Sequence, residues 1–96
     1  MVEKLSQQQR DTGLKSLSDW TYDDGASAIT RDFKFKDFSE AFGFMTRVAL
    51  AAQQADHHPD WSNGYNKVSI TLSTHDAGGL SQKDIDLAQA IDKLLA

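Results

Sequence analysis

The spacing of apolar positions changes repeatedly along the chain, and each spacing selects a different element. Leu5-Ser6-Gln7-Gln8-Gln9 carries the signature of a capping box: the serine hydroxyl accepts from the backbone N–H three residues on, and the glutamine reaches back. This predicts a short first helix ending near Lys15. Trp20-Thr21-Tyr22 reads as strand and Asp23-Asp24-Gly25 as a turn. From Ile29 to Phe35 a second strand follows, with Ile29, Arg31, Phe33 and Phe35 on one parity and Thr30, Asp32 and Lys34 on the other. A strand with one wet face fits an antiparallel sheet.

Asp37-Phe38-Ser39-Glu40 is a second capping signature, and it opens the most helical stretch of the chain, which ends near Ala55. At about 100° per residue, Ser39, Gly43, Thr46, Arg47, Gln53 and Gln54 fall in one stripe. Phe38, Phe42, Phe44, Met45, Val48, Ala49, Ala51 and Ala52 lie opposite. An apolar arc of roughly 180°, against roughly 100° for an ordinary surface helix, is wide enough for two partners, the sheet beneath and another subunit. The alternative is a short chain using its best helix as most of the core. Leu50, alone in the polar stripe, favours the additional contact.

Between Tyr65 and Thr74, Val68, Ile70 and Leu72 alternate with Ser69, Thr71 and Ser73, the clearest strand in the sequence. If its pairing continues to the end, His75 lies on the polar parity. Asp76-Ala77-Gly78-Gly79 breaks it, and Leu80-Ser81-Gln82-Lys83-Asp84-Ile85 starts a last helix with a capping box and a Leu80–Ile85 staple. Ile85, Ala88, Ile91 and Leu95 give that helix its buried stripe. The expected fold is α+β, an antiparallel four-stranded sheet with three helices packed on one face, in a single domain over residues 1–96.

Composition narrows the functional classes. The 96 residues, 40% apolar and 25% charged, are enough for one packed core. There is no cysteine, so neither disulfides nor thiolate metal sites are available, and the expected location is inside the cell. No apolar run approaches the roughly 20 residues of a membrane helix, and MVEKLSQQQRD is too polar for the apolar region of a signal peptide. The expectation is no membrane partner. A net charge of −4 disfavours direct nucleic-acid binding, which relies on clustered Lys and Arg.

All but one of the histidines sit in Asp56-His57-His58-Pro59-Asp60-Trp61. With an ordinary pKa of roughly 6.5, an imidazole can donate or accept a proton near neutral pH. The pair follows a helix end and precedes a strand, while His75 closes a strand predicted nearby, so the three can converge on one face. Zinc is a rival use, since three histidines and a water form a known catalytic set. Adjacent histidines in extended backbone point opposite ways, however, and chelate poorly. A third reading is a solvated polar turn. Pro59 reads as a helix terminator and Trp61 as a core anchor that could also offer a ring face to a flat ligand. Asp84 fits a helix cap first and an active-site group second.

The run FKFKDFSEAFGFMTRVALAAQQADHHPDWSNGYNKVSITLSTHDAGGLSQKDIDLA, Phe33 to Ala88, closely resembles the pterin-4a-carbinolamine dehydratases, known in animals also as dimerisation cofactors of a homeodomain transcription factor. The resemblance is carried by His-His-Pro with an aromatic two residues on, by Tyr65-Asn66-Lys67-Val68, and by Leu72-Ser73-Thr74-His75 followed by an acidic residue. It implies dehydration of a 4a-hydroxytetrahydropterin to the quinonoid dihydropterin in tetrahydrobiopterin recycling, with no metal and no cofactor. It implies a catalytic cluster of His57, His58 and His75, with Asp56, His57, His58, Trp61, Ser73, Thr74, His75 and Asp76 binding the pterin. The partners implied are the pterin substrate, further copies of the chain in a homotetramer and, in a coactivator role, a transcription factor's dimerisation domain. A cytoplasmic location is expected, with a nuclear share if that role holds. Two departures stand out: Gln53 occupies the place of a glutamate common in animal members, and Asp76 that of another.

Overall fold

The computed structural model describes residues 2–95. Its elements in order are α1 (Gln7–Leu14), β1 (Thr21–Asp23), β2 (Ala28–Lys34), α2 (Phe38–Ala55), β3 (Asp60–Gly64), β4 (Lys67–Leu72), a 3₁₀ turn (His75–Ala77) and α3 (Gln82–Lys93). The expected capping box forms: Ser6 Oγ accepts from Gln9 N–H at 3.1 Å, and Gln9 Oε1 accepts from Ser6 N–H at 2.9 Å. Asp37 caps α2 by accepting from Glu40 N–H at 2.9 Å. Such caps satisfy backbone donors that a first helical turn leaves without partners.

The four strands form one antiparallel sheet in the order β1-β2-β4-β3. Its register sets Phe33 opposite Val68 and Trp61 opposite Ile70, so apolar residues of neighbouring strands share one face. On that face Ile29, Phe33, Val68, Ile70 and Leu72 are buried in one cluster with Phe44 and Val48 of α2 and Ile85, Ala88 and Ile91 of α3. Phe44 is the hinge of this contact, its ring lying 4.9 Å from both Phe33 and Phe35. Each fully buried aliphatic or aromatic side chain contributes about 1.5–3 kcal/mol of transfer free energy. The α+β architecture expected from the sequence is therefore present.

Outside the ladder, Asp92 Oδ1 on α3 accepts from Trp20 Nε1 at 2.9 Å and from Arg31 at 2.7 Å, tying α3 to β2 and to the segment before β1. The buried stripe of α3 differs from expectation at its end. Leu87 is buried, whereas Leu95 is 40% exposed, because the helix stops at Lys93 and Leu95 no longer follows its periodicity.

Two further departures bear on function. Pairing of β4 stops at Leu72, so His75 does not ride on the strand. Thr74 instead exchanges backbone hydrogen bonds with Gly79, at 3.0 and 3.2 Å, and closes a loop that carries His75 on the 3₁₀ turn. The wide apolar arc of α2 also divides in two. Ala41, Phe44, Val48 and Ala52 enter the core, while Phe38 and Phe42 remain 49% and 55% exposed, and Leu50, in the polar stripe, is 68% exposed.

Candidate active site

The site begins with how α2 ends. Asp56 adopts the left-handed conformation (φ 51°, ψ 42°), its N–H reaching Gln53 O at 3.2 Å while His57 N–H returns to Ala52 O at 3.1 Å. This is Schellman-type termination, with an aspartate where glycine is usual. Aspartate tolerates that conformation better than most residues. Pro59 then prevents the helix from resuming. The reversal aims His57 inward and His58 outward, and His57 is buried while His58 is exposed.

Beneath His57 lies the first turn of α3. His57 Nε2 is 2.5 Å from Asp84 Oδ1, and Asp84 is fully buried. A buried carboxylate is costly unless its oxygens are hydrogen-bonded, and here both are. Oδ2 accepts from Thr74 Oγ1 at 2.8 Å and from Ser81 N–H at 2.9 Å. Thr74 has one hydroxyl proton and gives it to Asp84, so in the 2.6 Å contact between Thr74 Oγ1 and Ser81 Oγ the serine donates.

These bonds orient an imidazole. A carboxylate can only accept, so the proton between His57 and Asp84 belongs to Nε2. Among the described residues Nδ1 has no protein partner, and the one sealed side-chain polar atom without a partner is Arg10 Nε, so Nδ1 of His57 is not fully sealed from solvent. In the neutral ring it is the basic nitrogen.

His58 Nε2 lies 3.3 Å from Gln53 Oε1, so a neutral amide touches this imidazole directly. His75 is exposed at the start of its turn. Asp56, His57, His58, Ser73, Thr74, His75 and Asp76 together line a cleft of about 300 Å³. That is near the lower end of small-ligand sites. Wider depressions lie over the outer sheet face and beside the β1–β2 turn, but neither is lined by a histidine. Among the described residues no group of three or more His, Cys, Asp or Glu side chains is arranged to hold a metal ion.

Of the residues expected to contact substrate, Trp61 is the exception. It lies outside the cleft lining, and its ring packs against the hydrophobic cluster from β3. The register opposite Ile70 turns it toward the core face. Conversely, Asp84 and Ser81 lie beneath the site although sequence reasoning gave Asp84 a capping role first. It has that role too, since its Oδ2 accepts from the Ser81 N–H. The signal for more was its phase: Asp84 shares a helical face with Ala88 and Ile91, both buried, so its carboxylate had to find partners inside.

The sequence matches the family described as pterin 4 alpha carbinolamine dehydratase over residues 3–94. A Rhodospirillum rubrum protein provisionally named a pterin-4-alpha-carbinolamine dehydratase is 60% identical over 95 residues, covering 99% of each chain. A Rhizorhabdus wittichii protein with the same provisional name is 57% identical over 93 residues, covering 97% of this chain and 96% of its own. In three dimensions the chain is similar to a crystal structure of a transcriptional coactivator/pterin dehydratase from Brucella melitensis, with a TM-score of 0.93 and 45% identity over 98% of this chain and 100% of that one. The match reaches both the histidine pair at the end of α2 and the Asp84 beneath it, and the chain belongs to the pterin 4 alpha carbinolamine dehydratase family.

Proposed function

We propose that the chain dehydrates a 4a-hydroxytetrahydropterin to the quinonoid dihydropterin, as a step of tetrahydrobiopterin recycling, by histidine general acid–base catalysis. The observation that carries this reading is the lining of one cleft by His57, His58 and His75, with Asp84 holding His57 from behind. In the reaction the C4a–O bond breaks as the N5 lone pair forms a double bond to C4a. An acid protonates the departing hydroxyl to give water, and a base removes the N5 proton. One proton is given and one taken, so the protein's net charge is unchanged, and exchange with solvent restores the starting proton on the acid and the free nitrogen on the base. His57, with Nδ1 free, suits the base, and His75 across the cleft suits the acid. His58 positions the hydroxyl or replaces His75 as acid. The polar edge of the pterin is left to Asp56, Ser73, Thr74 and Asp76.

The test is stopped-flow decay of the 4a-carbinolamine with purified protein. Replacing His57 or His75 by Ala is expected to lower the rate about 10²-fold or more in each case. Near-native decay in both variants would reject the assignment.

We further propose that the protein works as a homotetramer that uses the outward face of α2, where the Phe38 and Phe42 rings stack 5.7 Å apart in solvent. The same face supports a second reading, a coactivator that holds a transcription factor's dimerisation helix. The description of the Brucella relative as both coactivator and dehydratase favours testing it. Pull-down with such a helix, with and without Phe42→Arg, separates this role from catalysis.

A further inference from the structure

We infer that Ser27, in the turn between β1 and β2 and outside the cleft, is a positioning residue for His75, acting through Gly79; the inference rests on the catalytic reading of His75 given above. Among the described residues the His75 side chain makes no hydrogen bond to protein, so its place is set by the loop that carries it. That loop has a neck where Thr74 and Gly79 exchange backbone hydrogen bonds at 3.0 and 3.2 Å. Thr74 is fixed on one side of the neck by its bond to Asp84. Ser27 closes the space beside Gly79 on the other: a Cβ built on Gly79 would lie 2.2 Å from Ser27 Oγ, 2.9 Å from Ser27 Cβ and 3.0 Å from Lys4 Cε.

The fit is two-sided. Ser27 itself is left-handed, with φ 50°, in a turn where Asp23 accepts from Ala26 N–H at 3.3 Å. Its hydroxyl faces Leu80 N–H at 3.4 Å. Leu80 O in turn accepts from Leu5 N–H at 2.8 Å, and Lys4 bridges to Ser81. The segment from Gly79 to Ser81 is thus gripped by two pieces of chain remote from the cleft. One end of it sets the His75 neck, and the other leads into the turn that holds Asp84. A side chain at position 79 would meet both a φ of 157°, which disfavours one, and the space that the Ser27 side chain occupies.

The experiment is a set of variants in the full-length protein, Gly79→Ala, Ser27→Gly and both together, each made in the native and His75→Ala backgrounds and assayed by carbinolamine decay. Gly79→Ala must push the neck away from Ser27, and the expected loss in kcat/KM is about 10- to 100-fold, the scale of a displacement near 1 Å. Adding Ser27→Gly removes the two Ser27 contacts, though not the 3.0 Å approach of Lys4 Cε or the φ of 157°, and so restores part of kcat/KM. Glycine suits the left-handed φ of position 27, so Ser27→Gly alone folds with Tm preserved and lowers kcat/KM several-fold by loosening the neck. In the His75→Ala background Ser27→Gly changes the remaining rate by no more than about twofold, because the group it positions is gone, while Gly79→Ala keeps only the smaller part of its loss that passes through Thr74 and Asp84. Equal losses in both backgrounds, or no loss in the native one, would overturn the role of Ser27 while leaving His75 catalytic. If Gly79→Ala does not fold, Ser27→Gly in the two backgrounds decides alone. A His75→Ala variant of native rate would instead remove the catalytic reading itself.

Discussion

His57 Nε2 and Asp84 Oδ1 stand 2.5 Å apart across 27 residues of sequence, and Asp84 is sealed from solvent beneath the imidazole. One carboxylate caps α3, anchors Thr74 and orients the His57 ring, which under the proposed mechanism would couple folding to chemistry. Asp84→Ala would leave His57 Nε2, Thr74 Oγ1 and Ser81 N–H without their acceptor. Removing one partner of a buried hydrogen-bonded pair costs about 3–5 kcal/mol, so a large fall in Tm is expected by calorimetry. Asp84→Asn keeps shape and one acceptor, and its expected result is different: a milder change in Tm with a rate loss of about 10²-fold or more. A native rate in Asp84→Asn would remove the orienting role.

The end of α2 offers a way to separate backbone from substrate contact. Asp56 holds a left-handed conformation and also lines the cleft. Asp56→Gly relieves the conformational demand while deleting the carboxylate, so Tm is expected to stay level or rise by the few degrees that correspond to about 1 kcal/mol. If the carboxylate contacts the pterin, KM rises at constant Tm. An unchanged KM would limit Asp56 to shaping the turn.

How much of this was legible follows from the range of the interactions. The capping boxes at Ser6 and Ser81 and the alternation from Val68 to Leu72 are local patterns, and they fixed helix starts and a core strand before any coordinates. The loop neck was not legible, because Thr74 pairs with Gly79 instead of continuing along β2. Ser27 and Lys4 crowd Gly79 there, and both approach from elsewhere in the chain. Trp61 was legible as a core anchor, and its place outside the cleft lining was not, for a related reason. Its direction is set by register against Ile70, and one residue of slip would turn it to the other face. Asp84 was visible as a cap, but its second partner sits on a different element.

Gln53 Oε1 lies 3.3 Å from His58 Nε2. Gln53→Glu places a negative charge beside an exposed imidazole and favours its protonated form. If His58 serves as an acid, it then keeps its proton to higher pH, so the alkaline limb of the rate profile moves upward. The move should be less than about one pH unit, because exposed pairs are weak, and it should shrink with added salt. Stopped-flow rates across pH at two ionic strengths measure both effects. A profile identical to the native one would place His58 outside the rate-determining proton transfers.

The outward face of α2 yields the prediction that bears on assembly. Phe38, Phe42 and Leu50 are 49%, 55% and 68% exposed, whereas Ala41, Phe44 and Val48 on the inward face of the same helix are fully buried. A substitution on the first set therefore leaves the protomer core untouched, and one on the second does not. Phe42→Arg places a charge beside Phe38, whose ring lies 5.7 Å away, and any assembly through this face would have to bury that charge unpaired. Light scattering is expected to show a tetramer for the native chain and a smaller species for Phe42→Arg, with near-native far-UV circular dichroism in both. Phe44→Ala is the control: it opens a core cavity at a cost of about 3–5 kcal/mol and should lower Tm strongly. A Phe42→Arg protein that remained tetrameric would move the interface away from this helix.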